Sequence, residues 1–217
     1  MTVRAVLFDL DGTLVDSLAD IGESMNIVLE ERGLPTHPVS SYRDFVGDGV
    51  TVLTRRALPE DRRDEAMVEA CVARMREVYG SHFDDKTRPY EGIPELLDRL
   101  VERDLRLAVL SNKPHDLTVA LVQGLLGRWG FSPVFGEREG VPRKPDPAAA
   151  LEVARLLGLG PDEILYLGDT PIDMATARAA GMKVLGVAWG FRSGAELQAA
   201  GADAIVETPA DVLAHLA

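Results

Sequence analysis

An alternation of short apolar runs with helical segments limits this chain to very few folds. Residues 3–8 are almost entirely apolar. Four further apolar runs follow, at residues 105–110, 164–167, 184–187 and 204–206. Strands that are apolar throughout are buried on both faces, and strands separated by helices form βαβ units. The pattern therefore predicts an α/β fold with a parallel sheet.

One long segment interrupts this pattern. Residues 16–88 contain no run that predicts a strand, but their apolar residues recur at helical spacing at 18–29, 50–58 and 61–79. The sequence therefore predicts two domains. Residues 1–15 and 89–217 form the α/β core, and residues 16–88 form an inserted all-helical domain.

Composition excludes several classes of function. The formal net charge is −12, so no basic field is present to attract nucleic acid or an anionic membrane surface. A single cysteine, Cys71, excludes an intrachain disulfide and favours a reducing compartment. No apolar stretch approaches the roughly 18 residues of a membrane helix. We therefore expect a cytoplasmic protein with no nucleic-acid or membrane partner.

Two carboxylates, Asp9 and Asp11, follow the first apolar run. Residues two apart on an extended chain point to the same side, and two like charges that close repel unless a cation or a shared proton relieves them. A divalent metal is the simplest relief, and an ordinary polar turn is the alternative. A calcium-binding EF-hand loop is excluded, because Gly12 and Asp20 stand at its fourth and twelfth positions, where the loop requires neither.

Three more polar groups lie near predicted strand ends or helix starts. They are Ser111-Asn112-Lys113, Lys144-Pro145 and Gly168-Asp169 with Asp173. Taken singly, each has a structural explanation, such as a helix cap, a loop or an acidic first helical turn. Lysine is scarce, with four in the chain against 19 arginines, so a lysine in such a position is notable. Together the groups supply a nucleophile, a proton donor, metal ligands, a hydroxyl and a cation, as a site for a phosphate monoester needs.

At this point the chain resembles the haloacid dehalogenase superfamily of phosphotransferases. That family's four motifs match, in order, Asp9-x-Asp11-Gly12-Thr13, Ser111, Lys144-Pro145 and Gly168-Asp169-x3-Asp173. The inserted helical segment resembles the family's C1 cap, and the combination is most similar to the phosphoglycolate phosphatase-like branch. The resemblance implies a Rossmann-like, doubly wound core and a cap that closes over it.

The resemblance also implies a role for each motif residue. Asp9 would be the nucleophile that forms an aspartyl-phosphate, and Asp11 would protonate the leaving oxygen and then deprotonate water. Mg²⁺ would be bound by Asp9, Asp11 through its backbone carbonyl, and Asp169, with Asp173 close behind them. The transferring phosphate would be bound by the following residues: Gly12, Thr13, Ser111, Asn112 and Lys144.

Substrate choice is expected to depend on the helical insertion. Its segment Gly47-Asp48-Gly49 resembles the family's cap specificity loop, and glycines there would allow close approach of backbone to a ligand. An ordinary loop between two helices of the insertion is the alternative. Arg43, with Arg55 and Arg56, is a candidate partner for a second substrate anion, although cap arginines are more often solvated. The segment Trp189-Gly190-Phe191-Arg192 resembles another loop of the same branch, and by default we expect its aromatic rings to be core.

Four other functions remain to be weighed. A dehalogenase of this superfamily lacks an acid at the Asp11 position, and a phosphonate hydrolase uses a cap lysine, for which Lys86 is poorly placed at the edge of the insertion. A phosphomutase would use the same core motifs and stays open. A phospho-accepting receiver also combines acidic residues, a hydroxyl and a lysine on such a sheet, but the insertion and the motif at Gly168 disfavour it.

The prediction from sequence is therefore a Mg²⁺-dependent phosphatase acting on a small phosphorylated metabolite. The best single expectation for that metabolite is 2-phosphoglycolate, whereas pyrophosphate, sugar phosphates and nucleotides remain alternatives. The protein is expected to be a monomer or a homodimer.

Overall fold

A computed structural model describes residues 2–216, which form two compact units. The first unit comprises residues 2–15 and 89–216, and the second comprises Asp16–Arg88. Two short strands, Val15–Asp16 and Arg88–Pro89, lie where the chain passes from one unit to the other.

Besides those two short strands, the described residues form six sheet strands and eight α-helices. The strands are β1 (Ala5–Phe8), β2 (Arg106–Pro114), β3 (Val134–Glu137), β4 (Ile164–Gly168), β5 (Lys183–Val187) and β6 (Ala204–Val206). The helices are α1 (Leu18–Glu30), α2 (Val50–Ala57), α3 (Glu65–His82), α4 (Ile93–Val101), α5 (His115–Leu126), α6 (Ala148–Leu157), α7 (Pro171–Ala180) and α8 (Gly194–Ala199).

The six strands form one parallel sheet in the order β3-β2-β1-β4-β5-β6. The chain builds the sheet outward from β1 through β2 to β3, and then returns to the other side of β1 for β4. This is the doubly wound order, in which ligands bind outside the carboxyl ends of the strands where the order reverses. The predicted fold class is confirmed.

Burial explains why the central strands are so apolar. All four residues of β1 and all five of β4 are buried, because helices cover both faces of the sheet. One face packs Ala5, Leu7 and Tyr166 against α6 and α7, where Val153 and Met174 are fully buried. Short side chains on these helices allow close packing against the sheet.

Strand register brings three polar segments to one edge of the sheet. Phe8, the last residue of β1, is paired with Val109 of β2 and with Leu167 of β4. The residues that follow these positions therefore emerge side by side. Asp9 follows β1 directly, and Asp169 follows β4.

The second unit is helical, with α1, α2 and α3 packed around a core of its own. Its largest fully buried side chains include Met25, Leu29 and Tyr42. The α3 helix begins after Asp64, whose carboxylate accepts a hydrogen bond from the amide of Met67 at 3.0 Å, a typical N-terminal cap. Helix α3 therefore begins at Glu65, and a short 3-10 turn at Glu60–Arg62 replaces the start predicted at residue 61.

Two further predictions of local structure need correction. The strand expected at residues 105–110 continues to Pro114, so Ser111, Asn112 and Lys113 belong to its carboxyl end. Strand β3 and helices α7 and α8 were not predicted. β3 is an edge strand of only four residues, one of them a glycine, so it is too short for an alternation of apolar and polar residues to be recognised in the sequence.

Candidate active site

The first unit concentrates its buried polar side chains at the carboxyl edge of β1, β2 and β4. Asp9, Ser111, Asn112, Lys144 and Asp169 are all buried there. They come from four separate segments of the sequence, which the parallel sheet gathers at the point where its strand order reverses. Burying so many polar groups costs free energy, which favours a functional explanation.

Asp9 is held by hydrogen bonds to one of its two carboxylate oxygens. Its Oδ1 accepts from the backbone amide of Leu10 at 2.7 Å and from Lys144 Nζ at 2.9 Å. Within residues 2–216, Oδ2 accepts no hydrogen bond, so this oxygen is the one available to a reacting group. Burial, only partly offset by Lys144, raises the pKa of Asp9 to about 7.

Lys144 is a buried ammonium group between two carboxylates. Its Nζ donates to Asp9 Oδ1 at 2.9 Å and to Asp173 Oδ1 at 2.7 Å. Burial by itself would lower the pKa of Lys144, but Asp173 and Asp9 hold it well above its ordinary value. The lysine therefore stays charged and neutralises part of the acidic cluster.

Asn112 fixes the backbone that carries this lysine. Its side-chain nitrogen donates to the Lys144 carbonyl at 3.1 Å, and its side-chain oxygen accepts from the Lys144 amide at 3.0 Å. This pair of bonds joins the end of β2 to the loop before α6, although the two residues are 32 positions apart.

Asp169 is positioned by two loops. Thr13 Oγ1 donates to its Oδ1 at 3.1 Å, and the backbone amide of Phe191 donates to its Oδ2 at 2.9 Å. Trp189 Nε1 in turn donates to the Thr13 carbonyl at 3.0 Å. Burial, with Asp9 and Asp173 nearby, raises the pKa of Asp169 well above its ordinary value.

Two glycines allow these loops to approach Asp169. A Cβ atom on Gly190 would lie 2.3 Å from the Asp169 Cβ and 2.4 Å from the Gly12 carbonyl oxygen. A Cβ atom on Gly12 would lie 2.2 Å from Asp169 Oδ2, and Gly12 also has a φ of +86°. Side chains at either position would displace Asp169.

Asp173 uses both of its oxygens within the protein. Oδ1 accepts from Lys144 Nζ and from the Tyr166 hydroxyl at 3.2 Å, and Oδ2 accepts from the amide and hydroxyl of Thr170 at 3.1 and 2.7 Å. It lies in the first turn of α7, where a helix dipole favours negative charge. This arrangement suits a residue that positions Lys144 better than one that binds a metal directly.

The acidic groups could nevertheless hold a metal ion between them. Asp9, Asp169 and Asp173 each offer a carboxylate oxygen, and these atoms all lie within 4.8 Å of one another. Three carboxylates this close repel each other in a buried site unless cations are bound. An all-oxygen ligand set of this kind suits hard divalent cations.

Asp11 lies outside that cluster. Its side-chain carboxylate accepts from Lys113 Nζ, at 3.0 Å to Oδ1 and 3.1 Å to Oδ2. Its carboxylate is thus not one of the clustered oxygens. The side chain is left for another role.

The predicted residues of the insertion lie in the second unit. Gly47, Asp48 and Gly49 form the loop before α2, and Arg43 is an exposed residue of the 3-10 turn at Val39–Asp44. Asp48 Oδ2 accepts from Arg56 Nη1 at 2.7 Å, and Arg55 pairs with Glu65. Arg55 and Arg56 therefore have carboxylate partners within their own unit.

Sequence reasoning assigned no role to several residues of the site. The sequence signal at Lys113 is a lysine near a strand end in a chain that has only four lysines, but this signal does not indicate a function. Tyr166 and Thr170 had no signal, because a tyrosine within an apolar strand and a threonine before a helix are both common. Trp189 was expected to be core by default, yet it is only half-buried and bonds to the Thr13 carbonyl.

Known proteins similar to this chain identify its family. Residues 6–187 match the model of the haloacid dehalogenase-like hydrolase family. A phosphoglycolate phosphatase from Chromobacterium violaceum is 34% identical over 97% of this chain and 95% of its own length. A phosphoglycolate phosphatase from Thiobacillus denitrificans is 30% identical over 97% of this chain and 94% of its own.

A solved structure has the same fold as this chain. The crystal structure of a candidate phosphoglycolate phosphatase from Lactobacillus delbrueckii subsp. bulgaricus has a TM-score of 0.94 and 32% identity. The match covers 100% of this chain and 99% of that one. The chain therefore belongs to the haloacid dehalogenase-like hydrolase family, and its relatives identify it as one of the family's phosphatases. Among the described residues, no helix is long and apolar enough to span a membrane.

Proposed function

We propose that the protein is a Mg²⁺-dependent phosphate monoester hydrolase whose preferred substrate is 2-phosphoglycolate. The observation that carries the proposal is the state of Asp9. Its Oδ1 is held by Lys144, its Oδ2 is available, and Asp169 lies within metal-binding distance of it. A carboxylate held in this way is suited to attack a phosphorus atom.

The charge of the site supports a bound divalent cation. Three buried aspartates, at 9, 169 and 173, lie around one ammonium group, that of Lys144, so with all three ionised the cluster carries a surplus of two negative charges. One Mg²⁺ would cancel this surplus, and the residues that would hold it are Asp9, Asp169 and the backbone carbonyl of Asp11. When bound, the ion would keep Asp9 ionised and lower the repulsion between the site and an anionic substrate.

In the first step Asp9 Oδ2 forms a bond to the phosphorus, and the bond between phosphorus and the ester oxygen breaks. Asp11 donates a proton to that oxygen, so the product leaves as an alcohol. Ser111, the Asn112 amide and Lys144 hold the phosphoryl oxygens, and Lys144 offsets their negative charge. The result is an aspartyl-phosphate on Asp9.

In the second step a water attacks the phosphorus of the aspartyl-phosphate. Asp11, now ionised, accepts a proton from that water, and the bond from phosphorus to Asp9 breaks. Inorganic phosphate is released and Asp9 and Asp11 return to their first states. One residue thus acts as acid and then as base.

The choice of 2-phosphoglycolate is supported by the relatives. Curated proteins named phosphoglycolate phosphatase match at 30 to 34% identity across nearly the full chain. We further propose that residues 16–88 act as a C1 cap, with Arg43 and the loop Gly47-Asp48-Gly49 contributing to substrate selection. A cap of this kind would exclude water from the site during the first step.

Phosphate release from a panel of esters tests this function. The panel contains 2-phosphoglycolate, pyrophosphate, a sugar phosphate and a nucleoside monophosphate, each with Mg²⁺ and with EDTA. We expect release from 2-phosphoglycolate that EDTA abolishes and that Asp9→Asn lowers by about 10³-fold or more. Asp162→Asn, a change to an exposed aspartate of the same unit, should leave release unchanged.

Three outcomes would contradict the proposal in different ways. Release that persists in Asp9→Asn would exclude the aspartyl-phosphate. Preference for another ester would exclude 2-phosphoglycolate but keep the hydrolase. A stable phosphoryl group on Asp9 without phosphate release would favour the mutase or the receiver.

A further inference from the structure

Lys113 is a buried cation whose position differs from that of Lys144. Its side chain is 4% exposed, and its Nζ lies 3.0 and 3.1 Å from the two oxygens of Asp11. Lys144 instead contacts Asp9 and Asp173. In the proposed reaction Asp9 attacks phosphorus and Asp11 protonates the ester oxygen. Lys144 is therefore paired with the carboxylate that attacks phosphorus, and Lys113 is paired with the carboxylate that protonates the leaving group.

The backbone of Lys113 is fixed, whereas its side chain is long. The amide of Lys113 donates to Ser111 Oγ at 3.2 Å, and its carbonyl accepts from Thr118 Oγ1 at 3.2 Å. On neighbouring β3, a Cβ atom on Gly136 would lie 2.5 Å from that carbonyl, so the strands are packed closely at this point. The ammonium group can shift by rotation about the side-chain bonds while its attachment point stays in place.

We propose that Lys113 determines substrate specificity by forming an ion pair with a carboxylate on the leaving group of the ester. This inference rests on the proposed function and deepens it. Asp11 must lie about 2.5–3.0 Å from the ester oxygen to transfer a proton. Lys113 already contacts Asp11, so a carboxylate one methylene away from the ester oxygen lies within its reach. The favoured substrates are therefore phosphate esters of small 2-hydroxy acids.

The contact with Asp11 shows which chemistry Lys113 accepts. Its ammonium group donates to both oxygens of a carboxylate in a nearly water-free position. A hydrogen bond to a charged group contributes enough to change affinity by about 10- to 100-fold. An ester whose leaving group is a plain hydrocarbon would gain nothing from Lys113 and would be a poorer substrate.

A pair of esters with the same number of carbon atoms tests the inference. 2-Phosphoglycolate and ethyl phosphate share a two-carbon leaving group, but only the first bears a carboxylate. The quantity to measure is the ratio of kcat/KM for 2-phosphoglycolate to kcat/KM for ethyl phosphate, because any damage to Asp11 affects both esters and cancels. We expect Lys113→Met to lower this ratio by about 10- to 100-fold, mainly through KM, and Lys113→Arg to retain most of it.

Controls separate this inference from the proposed function. Lys183→Met removes an exposed lysine of the same unit and should leave the ratio unchanged. Lys113→Gln serves as the neutral variant if circular dichroism shows that the methionine variant is unfolded. An unchanged ratio in the neutral variants, or no preference for 2-phosphoglycolate in the wild-type protein, overturns the role of Lys113. If the wild-type protein releases phosphate from neither ester in the presence of Mg²⁺, the proposed function fails instead.

Discussion

Charged side chains are arranged differently in the two units of this protein. In the α/β unit, Lys144 is 2% exposed in its side chain and lies between buried carboxylates. In the helical unit the pairs are exposed: Lys86 with Glu23 at 55% and 47%, and Arg74 with Glu31. Buried ion pairs cost desolvation that exposed pairs avoid. The comparison teaches that buried charge is retained here where chemistry requires it, while surface charge mainly keeps the protein solvated.

One residue of the helical unit does not follow this division. Asp20 is buried, and its carboxylate accepts from neutral donors: the amide of Lys86, the amide of Thr87 at 2.8 Å and the Thr87 hydroxyl at 2.6 Å. These bonds join the first turn of α1 to the end of the same unit, 67 residues away. A buried carboxylate can thus serve structure when neutral donors satisfy it.

The largest effect is expected from removing a buried and an exposed lysine in parallel. Lys144→Met leaves Asp9 and Asp173 without their cation, which should lower the free energy of unfolding by about 3–5 kcal/mol and turnover by about 10³-fold. Lys86→Met breaks only the exposed pair with Glu23 and should change neither measurably. Thermal unfolding and phosphate release measure both variants. Equal loss of stability in the two variants would contradict the division between the units.

A pair of glycine substitutions gives the next largest effect. Gly190→Ala places a methyl group 2.3 Å from the Asp169 Cβ, so it should displace Asp169 and weaken metal affinity by about 10- to 100-fold. Gly80→Ala, in α3, meets no atom within 4 Å and should stabilise the helical unit by about 0.5–1 kcal/mol. A calorimetric titration with Mg²⁺ measures the metal affinity of the first variant, and thermal unfolding measures the stability of the second. Unchanged metal affinity in Gly190→Ala would show that this loop does not position Asp169 for metal binding.

A smaller effect is expected from neutralising Asp20. Asp20→Asn turns an NH₂ group toward donors that need an acceptor, and should lower the free energy of unfolding by about 1–3 kcal/mol. Asp84→Asn, a change to an exposed aspartate of the same unit, is the control and should be neutral. Urea denaturation measures both. A neutral Asp20→Asn would show that its hydrogen bonds add nothing to the stability of the insertion.

The last test concerns the pH dependence of stability without metal, where two contributions of opposite sign act in different pH windows. The pKa of Asp9 is raised from 3.8 to about 7, so between about pH 4 and pH 7 the folded state keeps a proton that the unfolded chain releases. Stability from this group falls as pH rises through that window. Glu31, beside Arg74, has a lowered pKa, so its contribution is present above pH 4.5 and is lost as pH falls further.

Thermal unfolding in EDTA between pH 5 and pH 8 measures this slope. We expect the unfolding midpoint to fall as pH rises, Asp9→Asn to flatten the slope, and Mg²⁺ to raise the midpoint more at pH 8 than at pH 5. A midpoint that rises with pH in EDTA would contradict the buried, protonated Asp9.

The fold was predictable because its signal is periodic and strong. Apolar strands such as residues 164–167 and helices such as α6 are visible in the sequence, and the family follows from Asp9, Asp11 and Asp169 at their spacings. Strand β3 was not predictable, because a half-buried edge strand of four residues has no distinctive period. The roles given to the individual site residues and to the insertion remain predictions.

The sequence by itself determined the α/β class, the family and the set of motif residues, because strand and helix periods and short polar motifs are local properties. Only the tertiary structure decided which atoms meet. Nothing local indicates that Lys113 contacts Asp11, which is 102 positions away, or that the Phe191 amide holds Asp169. Such contacts depend on which strands lie side by side in the sheet, and this order is set by packing of the whole chain.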